Sequence, residues 1–172
     1  MKIFVLRLGH RISRDHRISS HCGMVARAFG ANGIVYSGEH DQELLDSVQN
    51  VAKQWGGKFE VKYEKDWKSF IKKWKGRVIH LTVYGIPIQE RIEDIEKSKD
   101  DLLIVIGGEK VPPEIYKLAD WNISITNQPH SEIAALAIFL DKLFKGGELY
   151  KRFAKGMIRV EPEERGKKVI KK

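Results

Sequence analysis

The sequence predicts an α/β fold: an open, mostly parallel sheet flanked by helices, followed by a small C-terminal β-hairpin. Short apolar runs that end at or near glycine recur along the chain, as in Ile3 to Leu8, Gly33 to Tyr36 and Leu102 to Ile106. Strands buried on both faces of a parallel sheet have this character. Between the runs lie segments whose apolar residues recur at helical spacing, and regular alternation of strand and helix is how parallel sheets are built. After about residue 155 the rhythm changes. Met157 to Val160 and Lys168 to Ile170 flank the polar segment Glu161 to Lys167 as two arms of a hairpin.

The elements follow in order. Ile3 to Leu8 is the first strand, closed by Gly9. A polar, basic loop from His10 to Arg17 comes next, and Ser19 or Ser20 is positioned to cap a short helix that ends near Phe29, with Gly30 or Gly33 terminating it. Gly33 to Tyr36 is strand two. Asp41 caps a longer helix with Leu44, Leu45, Val48, Val51 and Ala52 on one face, stopped by Gly56 and Gly57. Phe59 to Tyr63 is strand three, and Trp67, Phe70, Ile71 and Trp74 share a helical face with lysines around it. Arg77 to Tyr84 is strand four, ended by Gly85, and Ile88 to Lys97 is an acidic surface helix. Leu102 to Ile106 is strand five. The prolines at 112 and 113 make the chain turn sharply before a strand at Trp121 to Ile125. Ser131 is positioned as N-cap for a helix from Glu132 to Phe144 that is apolar almost all round and must be packed on several sides.

The 172 residues suit one domain, able to bury ~70 % of its unfolded surface. We assign residues 1–155 to the main domain and 156–172 to a basic hairpin extension. An isolated hairpin is marginal, so it is expected to pack on its own domain or on a second copy. Apolar content of 42 % excludes a disordered chain, and no apolar run approaches the ~18 residues of a membrane span. The apolar part of the N-terminus is too short for a signal peptide, so a cytoplasmic protein with no membrane partner is expected. The single cysteine, Cys22, excludes an internal disulfide and a multi-cysteine zinc site. It reads as a small half-buried side chain in a helix rather than a catalytic thiol. Residues 145 to 172 hold ten Lys and Arg against four Glu, which is +6 of the chain's net +8. A basic tail on a near-neutral domain points to a polyanion, most often nucleic acid, and otherwise to a tail kept soluble by charge.

The common dinucleotide and triphosphate glycine motifs are absent, as is the hydrolase nucleophile elbow. His10, His16 and His21 lack the spacing of a metal set, and no metal is expected. The lysine- and tryptophan-rich segment 67–75 reads as core aromatics with a solvated basic face, its alternative being an RNA clamp. What remains is three loops at successive strand ends, where parallel sheets bind ligands. They are Leu81-Thr82-Val83-Tyr84-Gly85, then Gly107-Gly108-Glu109-Lys110-Val111, then Thr126-Asn127-Gln128-Pro129-His130-Ser131-Glu132. Backbone groups there can read an adenine edge while Ile106, Val111 and Ile125 flank its faces.

The same residues carry a family resemblance. Gly-Gly-Glu-Lys-Val-Pro after a buried strand, followed by Asn-Gln-Pro-His-Ser-Glu-Ile-Ala-Ala-Leu-Ala, resembles the SPOUT methyltransferases. More narrowly, it resembles the archaeal family that 2′-O-methylates a cytidine in the tRNA T loop. Leu-Arg-Leu-Gly-His-Arg near the N-terminus, Arg14 to Arg17, Ala26 to Gly30 and His80 to Gly85 fit the same family. The resemblance implies a C-terminal trefoil knot, S-adenosylmethionine as methyl donor bound by the three loops, tRNA as substrate, and an obligate homodimer. Related ribose methyltransferases carry a reactive arginine six residues before the glycine that follows their first helix. That position is Met24 here, so the role moves to Arg14 or Arg17, or is performed differently. Arg17, with Arg14 nearby, is the candidate for positioning the 2′-hydroxyl and lowering its pKa, and His21 is a candidate proton acceptor. A salt bridge to Asp15 or another carboxylate is the alternative for Arg17. The rival function is a non-catalytic RNA-binding module.

Overall fold

A computed structural model describes residues 1–108 and 110–172. Among them, six strands form one sheet in which every neighbouring pair is parallel: β1 (Ile3–His10), β2 (Gly33–Gly38), β3 (Glu60–Tyr63), β4 (Arg77–Pro87), β5 (Leu102–Gly107) and β6 (Trp121–Ser124). Their order across the sheet is β3-β2-β1-β5-β4-β6, so β1 and β5 lie at the centre. Leu102 through Ile106 are fully buried, as an unbroken apolar run in a central parallel strand must be. The helices are α1 (Ile12–Ala28), α2 (Gln42–Trp55), α3 (Trp67–Lys73), α4 (Ile92–Ser98), α5 (Ile115–Leu118) and α6 (Glu132–Phe144). The larger core cluster joins α1, α2 and α6 to one face of the sheet. On the other face, Trp67, Phe70 and Trp74 pack on a second cluster, so the aromatics of segment 67–75 are core.

Asp41 accepts from the Leu44 N–H and Ser131 from the Ile133 N–H, capping α2 and α6 as expected. Three assignments are corrected. The segment from Ile12 to Arg17 is helix, not loop, because acceptors distant from the usual cap position satisfy its first N–H groups. Asp15 accepts from both the backbone and the side chain of Arg11, and Glu39 Oε2 accepts from the Ile12 N–H at 2.7 Å. Strand β4 also runs through Gly85 instead of ending there. Its pairing with β6 is irregular between Leu81 and Ile86, and a Cβ at Gly85 would run into the backbone of Asn122 and Ile123. Only glycine allows that approach. The acidic segment from Ile88 divides into a 3₁₀ turn (Ile88–Glu90) and α4.

β7 (Ile158–Glu161) and β8 (Lys168–Lys171) form the expected antiparallel hairpin. It is joined to the end of α2 by Met157 N–H to the Gln54 carbonyl and Gly57 N–H to the Ala154 carbonyl. Arg27, buried at the end of α1, donates to the Gly56 carbonyl at 2.6 Å and lies 4.4 Å from the Phe153 ring centroid. Among the described residues no helix is long and apolar enough to cross a membrane.

Candidate active site

The C-terminal ends of β4, β5 and β6 open into a cavity of about 350 Å³, within the range of small-molecule sites. Its lining comes from all three predicted loops. Leu81, Thr82 and Tyr84 line it from β4, Gly107, Gly108 and Val111 from the β5 end, and Pro129, His130 and Glu132 from the entry to α6. The other expected residues lie around it. Lys110 faces a neighbouring cavity, and Ser131 is occupied in capping α6. Ile125 packs on the core, and Thr126 and Gln128 are exposed. Asn127 acts as a latch: its Nδ2 donates to the Val83 carbonyl at 2.6 Å and the Gly85 carbonyl at 3.2 Å, tying the β6 loop to the β4 loop. Glu109 lies outside the described residues.

Sequence reasoning missed a partly buried network on the cavity wall. His80 Nδ1 donates to Asn122 Oδ1 at 2.9 Å, because Asn122 Nδ2 is committed as donor to the Tyr116 carbonyl. The Tyr116 hydroxyl meets Thr82 Oγ1 at 3.1 Å, and the Tyr116 ring stands edge-on to His80. Burial holds the His80 imidazole below its ordinary pKa, so it is neutral at pH 7. The cavity therefore offers apolar walls at Leu81, Ile106, Val111 and Ala135, with hydroxyls at Thr82 and Tyr116. An adenosine-bearing ligand has this chemistry of flat faces and polar edges.

Beside it, sharing Gly108, is a cationic cavity of about 260 Å³ lined by Arg7, Arg11, Arg14, Asp15 and Lys110. Arg7 is 1 % exposed and pairs with Glu132 at 3.2 Å, and it also donates to the Leu8 carbonyl. The pair connects β1 to the first turn of α6 and separates the two cavities. The signal for Arg7 was present in the sequence: a charge inside an otherwise apolar strand is buried and must be partnered.

Arg14 reaches this second cavity, whereas Arg17 and His21 lie on the exposed stripe of α1 and line neither cavity of their own chain. Asp15 is bound by Arg11, with a carboxyl held below its usual range chiefly by that hydrogen bond, so the alternative pairing of Arg17 with Asp15 is not formed. Arg17 is also not ahead of a helix N-terminus, since α1 has already begun at Ile12. His10 and His16 converge on Asp41 Oδ2, each at 3.1 Å, and His10 Nδ1 meets buried Ser19 at 2.8 Å, fastening α1 to the start of α2. Cys22 is fully buried, and its thiol is pushed up to about 12 by desolvation, so it stays protonated. Among the described residues no group of three or more His, Cys, Asp or Glu could hold a metal ion.

Residues 55–170 match the family described as tRNA ribose 2′-O-methyltransferase, aTrm56. The chain belongs to this family. A relative from Thermococcus kodakarensis is 50 % identical over 98 % of this chain and 96 % of its own length. One from Methanocaldococcus jannaschii is 50 % identical over 99 % of this chain and 97 % of its own. Both are named tRNA (cytidine(56)-2′-O)-methyltransferase. Among solved structures, an RNA 2′-O ribose methyltransferase superposes with a TM-score of 0.62 at 13 % identity, over 84 % of this chain. The AdoMet-bound rRNA methyltransferase of Sinorhizobium meliloti superposes at 0.60 with 16 % identity, also over 84 % of this chain. This chain spans 56 % of each of those two structures, whose likeness is one of fold.

Proposed function

We propose that this aTrm56-family chain transfers the methyl group of S-adenosylmethionine to the ribose 2′-hydroxyl of cytidine 56 in tRNA. The observation that carries the reading is identity of about half, across nearly the whole chain, to relatives named for that reaction. The cavity at the β4, β5 and β6 ends is the donor site in this reading, since its size, apolar walls and two hydroxyls fit an adenosine. When bound, the sulfonium supplies an electrophilic methyl group, so the chemistry calls for no metal.

The protein's part is to hold the hydroxyl in line and to favour loss of its proton. Arg14 lines the cationic cavity next to the donor site and suits the phosphate beside the target ribose. Arg17 lies one turn further along an exposed stripe that also holds Ile18, His21 and Met24. In a homodimer that stripe would meet a second copy, and Arg17 and His21 would reach the partner's site. Two features support the dimer. Ile12, Ile18 and Met24 of α1 and Ile138 of α6 are exposed apolar side chains. Both carboxylate oxygens of Glu148 are buried without a hydrogen-bond partner among the described residues, beside exposed Leu149 and Tyr150. An unpaired buried carboxylate is costly, and a donor from a second copy would offset that. The reading includes a trefoil knot at the passage from β6 into α6, supported by the Asn127 latch across the β4 loop. It also includes residues 156–172 as an appended hairpin and activity in the cytoplasm.

The test is transfer of labelled methyl into unmodified tRNA, followed by nucleoside mapping. Label in a 2′-O-methylcytidine at position 56 is the expected result. Donor binding without transfer to any tRNA ribose would overturn the reading.

A further inference from the structure

At the opposite edge of the sheet, a groove of about 770 Å³ lies between the hairpin and the end of α2. It is more than twice the size of the donor cavity and far from it. α1 leaves the donor edge at Ile12 and ends at Ala28, beside the groove, and its 17 residues span about 25 Å. Trp55, Met157 and Ile170 supply apolar lining, and Arg152, Lys155 and Lys172 supply charge. Those three cations make no ion pair among the described residues. The remaining two charges of the lining neutralise one another: Glu161 pairs with Arg159 at 2.9 Å, and it also pairs with Lys168, outside the lining, at 2.6 Å. The groove is thus a surface of uncompensated positive charge around Trp55, a residue 37 % exposed.

The surface is also held in shape. The Phe153 ring centroid lies 4.4 Å from Arg27 and 5.7 Å from Lys151, and Arg27 is tied to the Gly56 carbonyl. Lysines at a flexible tail would need none of this support. Aromatic faces flanked by cations on a fixed frame are how single-stranded nucleic acid is bound: a base stacks and its phosphates are neutralised. A symmetric contact between two copies through this groove would bring like charges together, because a two-fold interface presents the same patch on both sides.

We propose that this groove is a second RNA-contact surface, in which an unpaired nucleotide of the tRNA body stacks on Trp55 with its flanking phosphates on Arg152, Lys155 and Lys172. The proposal rests on the reading of the chain as a tRNA methyltransferase and adds a contact remote from the methylated ribose. Position in the fold explains its use: a folded RNA is long enough to touch both edges of the sheet, so affinity can be raised without crowding the donor site.

The experiment measures affinity of the full-length protein for unmodified tRNA across a salt series, with donor affinity by calorimetry and mass by sedimentation. The variants are Arg152→Gln/Lys155→Asn/Lys172→Gln together, and separately Trp55→Ala and Trp55→Phe; asparagine suits the left-handed backbone at Lys155. The triple variant is expected to flatten the log–log salt dependence by about 2–3, at ~0.7–0.9 for each of the three phosphates no longer neutralised. Trp55→Ala is expected to weaken tRNA binding roughly ten-fold with the salt slope unchanged, and Trp55→Phe to restore most of it. Donor affinity should be unaltered in all three. Unchanged tRNA affinity and slope in the triple variant, or a fall in mass showing that the groove holds a second copy, would overturn the proposal. Should one variant fail to fold, the other alone decides, because charge and stacking are read separately. Wild-type protein that binds no tRNA and transfers no methyl would instead reject the tRNA-methyltransferase reading.

Discussion

Substitution at the Arg7–Glu132 pair should be strongly asymmetric. The Arg7 side chain is 2 % exposed and that of Glu132 18 %, at 3.2 Å, so solvent screens the pair little. Glu132→Gln keeps the shape but leaves the guanidinium buried, with Nε already lacking a partner and the Leu8 carbonyl as its remaining fixed acceptor. Removing one partner of a buried pair costs about 3–5 kcal/mol. For a domain of this size that is a fall in Tm of roughly 6–20 °C. Arg7→Met leaves the carboxylate instead, but Glu132 is the first residue of α6, where free N–H groups and the helix dipole favour negative charge. The loss there should be smaller, about 1–3 kcal/mol. The double variant should recover most of the deficit, because an apolar replacement of both partners strands no charge. Thermal and denaturant melting at matched protein concentration, with a double-mutant cycle, measures this. Equal losses in the two single variants, or a double variant no better than Glu132→Gln, would refute the argument. Donor affinity should fall with Glu132→Gln as well, since Glu132 lines the cavity proposed to hold the donor.

Three further expectations follow from the same geometry. Arg17→Ala, and largely Arg17→Lys, should lower single-turnover methyl transfer ~100-fold with melting unaffected; an early melt would mean a structural role, and a normal rate would remove Arg17 from the chemistry. Asn127→Ala removes both latch bonds between the β6 and β4 loops and should weaken donor binding by about 1–2 kcal/mol without unfolding the chain. Gly107→Val, whose Cβ would collide with Val111, should do the same, and calorimetry showing unchanged affinity in both variants would move the site elsewhere. Burial lowers the pKa of His80, so the unfolded chain binds its proton at higher pH than the folded one. Its contribution to stability is therefore complete above about pH 6.5 and is lost as pH falls toward the lower folded value. His80→Gln should flatten that part of the stability profile, while the loss from Asp15 and Asp41, whose carboxyls are held low, appears only below about pH 4.

Much of this was local and therefore legible in the sequence. The apolar run Leu102 to Ile106, the caps Asp41 and Ser131, and the two arms of the hairpin depend on near neighbours along the chain, and each formed as expected. The loops of the candidate site were legible because the C-terminal edge of a parallel sheet places successive strand ends together. What depended on distant partners was not. Helix α1 begins seven residues earlier than Ser19 because Glu39, 27 positions from Ile12, accepts its first N–H. β4 continues through Gly85 because β6 passes close against it. The separation of Arg14, beside the proposed donor cavity, from Arg17, on the outer stripe, follows from that longer helix, since a loop would have left both free to turn inward. Composition determined the charge of the tail, but tertiary packing decided which lysines and arginines stay uncompensated around Trp55. Charge is a sum over the chain, whereas pairing depends on which side chains the fold brings within reach.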